Sequence, residues 1–115
     1  MEIKKIQEWE KEYAKRKGLP PKNKKDAPAS LMVGYLKLSE EVGELAEAIL
    51  RKQYSEIQAE LADIIIFTSK IGKIAEDYLD QPSLTEILEK KIRYAEKRNY
   101  DKKSQDLTKP KSEFK

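Results

Sequence analysis

The chain has 115 residues and contains neither cysteine nor histidine, which excludes disulfides, zinc–thiolate sites and histidine-based acid–base chemistry. This length predicts one domain with a modest core, and a subunit of this size often completes its core by oligomerising. Lysine and arginine number 24 against 21 aspartates and glutamates, a net charge of +3. Any catalysis must therefore use carboxylates, lysines, arginines, tyrosines or hydroxyls.

Charge is distributed unevenly along the chain. Residues 1–25 hold nine basic and four acidic side chains, residues 26–100 hold ten and fourteen, and residues 101–115 hold five and three. Basic ends are usually solvated flanks, so nucleic-acid binding is not expected. No apolar run reaches the ~18 residues of a membrane span, and the charged N-terminus lacks the apolar segment of a signal peptide. We therefore expect a soluble, cytoplasmic protein with no membrane partner.

The first predicted helix lies near the N-terminus, where Ile3, Ile6, Trp9 and Tyr13 recur at helical spacing. Gly18, followed by two prolines, predicts the end of this helix and the start of a lysine-rich linker. Trp9 is expected to anchor the core or an interface, and stacking on a nucleobase is the alternative.

Two longer helices are predicted next, and the connection between them is short. The second helix starts near residues 26–30, where Pro28 suits the first turn, and ends near Lys52. The third starts at Ser55, where the sequence SEIQ has the pattern of a capping box. The short connection predicts an antiparallel hairpin. Its apolar stripes are Leu31, Tyr35, Leu38, Val42, Leu45 and Ile49, then Ile57, Leu61, Ile64, Thr68, Ile71 and Ala75.

A fourth helix is predicted after Pro82, and Ser83 with Glu86 forms a second capping-box pattern. This helix runs to about Arg98. Because neither strand patterns nor internal repeats occur, the sequence predicts an all-α protein, a four- to five-helix bundle that oligomerises. The helical domain is expected over residues 1–100, followed by a disordered basic tail over residues 101–115, which has almost no apolar content.

Acidic side chains lie at matching positions on the second and third helices. At ~100° of rotation per residue, Glu41 and Glu44 lie at about −70° and −130° from the centre of the second helix's stripe. Glu60 and Asp63 have the same offsets on the third helix, whereas Glu40 faces away from the core. An antiparallel hairpin therefore brings four carboxylates to one edge of the core.

Such a cluster needs a compensating positive charge, because like charges within ~4–6 Å raise one another's pKa values. Mg²⁺ prefers carboxylate and water oxygens, and two ions held by four carboxylates is an arrangement that activates water in phosphate chemistry. The alternative is a run of surface charge that forms i,i+4 pairs. Basic partners at that spacing are sparse, Lys37 with Glu41 being the clearest.

The acidic motifs resemble those of a known enzyme family. EEVGE at residues 40–44, fifteen intervening residues and ELAD at residues 60–63 resemble the signature of MazG-like nucleoside triphosphate pyrophosphohydrolases, in the all-α NTP pyrophosphatase superfamily. The resemblance implies hydrolysis of an NTP or dNTP between the α and β phosphates, with Mg²⁺, or Mn²⁺ as a substitute, in a homodimer or homotetramer. The metal ligands that it implies are Glu41, Glu44, Glu60 and Asp63.

Basic residues on the fourth helix are candidates for binding the polyphosphate. Lys91 and Arg98 are seven residues apart and lie on one helical face, and a solvated basic face is the alternative. Ala95 stands where relatives that act on dCTP carry asparagine, so the resemblance does not extend to base or sugar recognition. Lys37 is a further candidate for contact with phosphate, or it pairs with a neighbouring glutamate.

Two other functions fit the same residues. A phosphoribosyl-ATP pyrophosphohydrolase belongs to the same superfamily, although the phrase EEVGELAEAI resembles the MazG-like branch more closely. A non-catalytic helical module, whose acidic edge docks a basic partner or a regulatory nucleotide, would bind Mg²⁺ weakly at most and would tolerate Asp63→Asn.

Overall fold

The computed structural model describes residues 1–98, which contain four α-helices and no strand. The helices are α1 (Ile3–Arg16), α2 (Ala27–Leu50), α3 (Ile57–Tyr78) and α4 (Leu84–Lys97). The all-α prediction is confirmed, while the tail predicted over residues 101–115 lies outside the described residues. None of the described helices is both long enough and apolar enough to cross a membrane.

The chain divides into two units, Met1–Leu84 and Thr85–Lys115. The first unit holds α1, α2 and α3, and α3 is its central helix because both α1 and α2 pack against it. The described part of the second unit is the rest of α4 and Arg98.

Helices α2 and α3 form the predicted antiparallel hairpin, and small residues line the contact. The buried residues of α2 are Ala27, Ser30, Gly34 and Ala48. A Cβ on Gly34 would lie 3.0 Å from Cγ1 of Ile71, so glycine permits the close approach of the two helices. This contact fixes the register that places the middle of α2 beside the start of α3.

The predicted apolar stripe of α2 is only partly right. Tyr35, Val42 and Ile49 keep 58%, 48% and 50% of their surface exposed. The packed face is rotated toward the small residues, because these allow α2 to lie closer to α3 than larger side chains would. As a result Glu41 is half-buried.

The ends of α1 and α2 have the same hydrogen-bond pattern. After α1, Leu19 N–H donates to Ala14 O at 2.8 Å, and Gly18 has a left-handed φ of 66°. After α2, Gln53 N–H donates to Ala48 O at 2.8 Å, with Lys52 at a φ of 59°. Both are Schellman motifs, in which one left-handed residue reverses the chain. The predicted stop at Gly18 is therefore confirmed.

The capping box predicted at Ser55 is wrong. Residues Tyr54–Glu56 form a 3₁₀ turn, α3 begins at Ile57, and its N-cap Glu56 makes no side-chain capping bond. Instead, Glu56 N–H donates to Gln53 O at 3.1 Å. The tight turn after α2 thus supplies a backbone carbonyl that accepts a hydrogen bond from an N–H group near the start of α3.

Polar contacts attach α1 to α3. Gln7 Nε2 donates to Glu76 Oε2 at 2.7 Å, and the same oxygen accepts a hydrogen bond from Leu84 N–H at 3.0 Å. Lys11 Nζ lies 2.9 Å from Asp77 Oδ2. Glu76 therefore connects α1, α3 and the first residue of α4.

The apolar core of the described residues is thin. Among residues 1–98, the buried hydrophobic side chains are those of Ala27, Ala48 and Ile74. Large apolar side chains remain exposed along α2, among them Met32, Leu36 and Leu50 at 59%, 59% and 82%. This exposure agrees with the predicted oligomer, which stays a prediction.

Candidate active site

Three carboxylates converge where α2 crosses the first turns of α3. Glu41 comes from α2, Glu60 and Asp63 come from α3, and one carboxylate oxygen of each lies within 4.8 Å of the others. The i,i+3 spacing puts Glu60 and Asp63 on one face of α3. The antiparallel register brings Glu41 to that face. All three side chains are half-buried.

Two oxygens of this cluster are buried without a hydrogen-bond donor. Glu41 Oε2 and Glu60 Oε2 have no partner among residues 1–98. Within residues 1–84, no lysine or arginine forms a salt bridge with Glu41, Glu60 or Asp63. A buried charged oxygen without a partner is costly, so the site calls for a positively charged group that residues 1–84 do not supply.

The cluster changes the protonation of Glu41. A hydrogen bond that the protonated carboxyl group can form with Glu60 is the largest influence, and together with burial and the charges of Glu44, Asp63 and Glu60 it raises the pKa of Glu41 to about 7. Two carboxylates can be joined by a hydrogen bond only if one of them holds the proton. Near neutral pH the metal-free site therefore binds a proton part of the time.

Glu44, the fourth predicted ligand, lies outside the group of three. Its side chain is exposed one turn after Glu41, although its charge still contributes to the raised pKa of Glu41. Glu40 faces away from the site, as expected, with its carboxylate 3.8 Å from Lys37 Nζ. The part that Glu44 plays as a ligand stays a prediction.

The three carboxylates fit a divalent cation in number, chemistry and spacing. Mg²⁺ and Ca²⁺ bind oxygen ligands at ~2.0–2.6 Å, so two oxygens on opposite sides of one ion lie ~4–5 Å apart. The ligand oxygens of Glu41, Glu60 and Asp63 fall within 4.8 Å of one another. A cation held there would also satisfy buried acceptors that now lack a donor.

The candidate substrate residues of α1 and α2 are exposed. Lys37 pairs with Glu40, and both side chains are more than half exposed, at 58% and 61%. Trp9 is 48% exposed and stacks on Tyr13, with ring centroids 5.3 Å apart. Trp9 is thus not a core residue of the first unit. An interface with another subunit or a nucleobase remains the expected contact of its exposed surface.

The other two candidates belong to the second unit. Lys91 lies on α4, and Arg98 follows its last residue. The Arg98 guanidinium lies 5.6 Å from the centre of the Tyr94 ring. Their role toward a polyphosphate stays a prediction from the sequence.

The sequence profile of the MazG nucleotide pyrophosphohydrolase domain matches residues 31–99. The chain belongs to this family. The matched MazG region includes both acidic motifs and most of α2, and it leaves α1 outside. The predicted resemblance is therefore confirmed. No curated protein and no solved structure matches the chain.

Sequence reasoning missed the contacts that hold α1 against this MazG domain. Gln7 and Glu76 are 69 residues apart in the chain, and Glu10 and Lys70, which form a 3.4 Å ion pair, are almost as distant. In the sequence, these residues are distinguished only as polar positions in helices whose neighbouring positions are apolar. That signal is shared by many surface residues, so it does not identify a partner.

Proposed function

We propose that the protein hydrolyses nucleoside or deoxynucleoside triphosphates between the α and β phosphates, giving the monophosphate and pyrophosphate, with Mg²⁺ as its cofactor and Mn²⁺ as a substitute. Such an activity removes surplus or aberrant nucleotides. The observation that carries the proposal is the cluster of Glu41, Glu60 and Asp63, in which two buried oxygens lack a donor. Membership of the MazG family supports a phosphoanhydride as the substrate.

The carboxylates have the role of holding the cation. Glu41, Glu60 and Asp63 are its first candidates, and Glu44 is a fourth, which would act from its exposed position one turn along α2. When bound, a divalent cation neutralises phosphate charge and favours the ionised form of an attacking water. The helix pair supplies rigidity, because ligands from two packed helices are held in place before substrate arrives.

The basic side chains have the role of binding the polyphosphate. Lys37, Lys91 and Arg98 are the candidates, and a guanidinium can make two parallel hydrogen bonds to one phosphate. These contacts orient the α phosphorus for attack and stabilise the pyrophosphate that leaves. Trp9 is the candidate for stacking on the base.

The direct test is product analysis over a panel of NTPs and dNTPs with Mg²⁺, using ion-exchange chromatography to separate mono-, di- and triphosphates. The expected products are a monophosphate and pyrophosphate in equal amounts. Glu60→Gln keeps the shape of the side chain and removes its charge. Removing even a residue that only contacts a metal ligand lowers metal affinity or activity ~10–100-fold. We therefore expect this substitution of a ligand to lower kcat/KM at least about 100-fold.

Glu47→Gln is the matched control. Glu47 lies on α2 like Glu41, but it is exposed and pairs with Arg51 at 2.9 Å. Its loss should change kcat/KM less than about twofold, because exposed ion pairs contribute little. Release of inorganic phosphate and a diphosphate, or full activity in Glu60→Gln, would contradict the proposal.

The alternatives give other outcomes in the same experiments. Cleavage of phosphoribosyl-ATP alone would favour the phosphoribosyl-ATP pyrophosphohydrolase. Lack of turnover, with weak Mg²⁺ binding that Asp63→Asn leaves unchanged in calorimetry, would favour the non-catalytic module.

A further inference from the structure

A cavity of about 450 Å³ lies in the first unit, away from the carboxylate cluster. It is lined by the last turns of α1, the turn that follows them and the second half of α3. Lys70, the lining residue of α3 nearest Asp63 in sequence, is seven residues beyond it, ~10 Å along the helix. Small-molecule pockets commonly measure ~300–1,000 Å³, so this cavity is large enough for a ligand.

Apolar groups form much of the wall. Leu19 and Pro20 contribute from the turn, and Ile74 and Tyr78 contribute from α3. The Tyr78 hydroxyl donates to Pro21 O at 3.5 Å, which attaches the turn to the last turn of α3. The cavity therefore has a fixed apolar surface against which a ring or a compact hydrocarbon body could pack.

Ion pairs fix some of the charged groups that line the cavity. Glu10, whose side chain is only 9% exposed, lies 3.4 Å from Lys70 Nζ. Asp77 contacts two lysines, Lys11 at 2.9 Å and Lys73 at 3.3 Å. Burial alone would raise the pKa of Asp77, but the hydrogen bond from Lys11 and the neighbouring lysine charges hold it below its ordinary value. Asp77 is thus ionised, and two lysines share its single negative charge.

Two further lysines lie outside these ion pairs. Lys15 and Lys22 line the cavity, and the side chain of neither forms a salt bridge within residues 1–84, although the backbone N–H of Lys22 donates to Asp26 Oδ2 at 3.2 Å. The lining holds five lysines against two carboxylates, an excess of three positive charges. Positive charge beside an apolar wall favours an anion with an apolar body.

We propose that this cavity binds a small apolar anion, a compact ring body with one phosphate-like group, at a site separate from the carboxylate cluster. The ring body packs against Pro20, Ile74 and Tyr78, and the anionic group pairs with Lys15 and Lys22. Because these residues play no part in the proposed hydrolysis, the site stands or falls independently of that activity.

The test uses 2-naphthyl phosphate as the probe, with the full chain in EDTA. Without divalent cations the carboxylate cluster carries only negative charge and does not attract the probe. Calorimetry should give one site, bound at least about tenfold more tightly than inorganic phosphate or 2-naphthol, since the probe joins both contacts in one molecule. Backbone amide shifts in NMR spectra should change in residues 10–22 and 70–78.

Substitutions separate this site from general attraction to a basic protein. The double variant Lys15→Gln, Lys22→Gln should weaken binding of the probe at least about tenfold, because it removes both lysine charges that pair with the anionic group. The control Lys4→Gln, Lys5→Gln removes two exposed lysines from the start of the same helix and should leave the affinity unchanged. Ala14 lines the cavity, and Ala14→Leu narrows it. This substitution should weaken binding of the probe but not binding of inorganic phosphate.

Three results would overturn the proposal. These are no binding of the probe, equal loss of affinity in both double variants, and amide shifts centred on the exposed apolar residues of α2. Circular dichroism of each variant establishes that a lost affinity reflects the site and not loss of the fold.

Discussion

Glu41 on α2 and Glu60 on α3 meet across the helix pair, and each keeps one buried oxygen without a donor in residues 1–98. Packing of the two helices brings these like charges together, while their repulsion opposes that packing. The fold of the metal-free protein therefore includes a local cost at the candidate site. Binding of a proton or a cation removes it.

The first prediction concerns the dependence of stability on pH and Mg²⁺. The pKa of Glu41 is raised from 4.5 to about 7, so in the metal-free protein its favourable contribution is complete below its unfolded pKa and is lost as pH rises through about 7. Mg²⁺ needs the ionised form and competes with the proton. We expect millimolar Mg²⁺ to raise the melting temperature more at about pH 8 than at about pH 6.

Glu41→Gln serves as the control for this prediction. It removes the titrating group, so the metal-free variant should be more stable than the natural chain at about pH 8, and Mg²⁺ should have little effect on it at either pH. An increase in melting temperature at about pH 6 as large as that at about pH 8 would contradict the coupling.

A second prediction follows from the two Schellman motifs. Both need a left-handed residue, which is Gly18 after α1 but Lys52 after α2. A side chain in this conformation costs ~1 kcal/mol, so Lys52→Gly should raise the free energy of unfolding by about 0.5–1 kcal/mol and Gly18→Ala should lower it by about 1 kcal/mol. Lys52→Ala is the matched control. If it stabilises as much as Lys52→Gly in urea titrations, the gain comes from removing the lysine and not from backbone freedom.

A third prediction tests the register that builds the site. Gly34 faces Ile71 so closely that a Cβ would lie 3.0 Å away, and Gly34→Leu must push the helices apart. We expect the free energy of unfolding to fall by about 1–3 kcal/mol and Mg²⁺ affinity to fall with it. Ala59→Leu adds a similar bulk on the exposed side of α3 and should change stability by less than about 0.5 kcal/mol. Unchanged Mg²⁺ affinity in Gly34→Leu would show that the site does not depend on this contact.

The short connection between the helices predicted the antiparallel hairpin, and helical periodicity then placed Glu41, Glu60 and Asp63 at one edge of it. Periodicity centred the packed face of α2 on a stripe of large apolar residues, whereas the fully buried positions of α2 are small residues, among them Ala27, Gly34 and Ala48. The reason is that a hydrophobicity pattern records which side chains avoid water but not which partner covers them. Because α2 is apolar on more than one side, its sequence offers two faces that could pack against α3. The face with small residues is the one that packs, because it lets the two helices approach closely.

The SEIQ pattern failed for a related reason. A capping box describes a helix that begins from an extended chain, but the chain before Ile57 leaves a tight Schellman turn and has its own backbone hydrogen bonds. The contacts between α1 and α3 could not be predicted from the sequence either, because residues as far apart in the chain as Gln7 and Glu76 form no local sequence pattern. Local sequence thus predicts helices and their phase, and tertiary contacts decide their ends and partners.

The second face of α2 leads to the last prediction. Met32, Leu36 and Leu50 are exposed by 59%, 59% and 82%, and they recur at helical spacing on the side of α2 away from the small packed residues. A subunit with so few buried apolar residues gains stability by covering such a face, and we propose a second copy of the chain as its cover. Leu36→Lys should then shift the mass in sedimentation velocity toward the 13.4 kDa of one chain.

Gln58→Lys adds the same charge at an exposed polar position of α3 and should leave the mass of the assembly unchanged. The assembled protein should lose stability on Leu36→Lys, because a lysine at the interface must be desolvated. A protein that is monomeric before any substitution, or an assembly that tolerates Leu36→Lys, would mean that this face is not the contact between copies. Nucleotide turnover measured on the same variant would then establish whether one subunit holds a complete site.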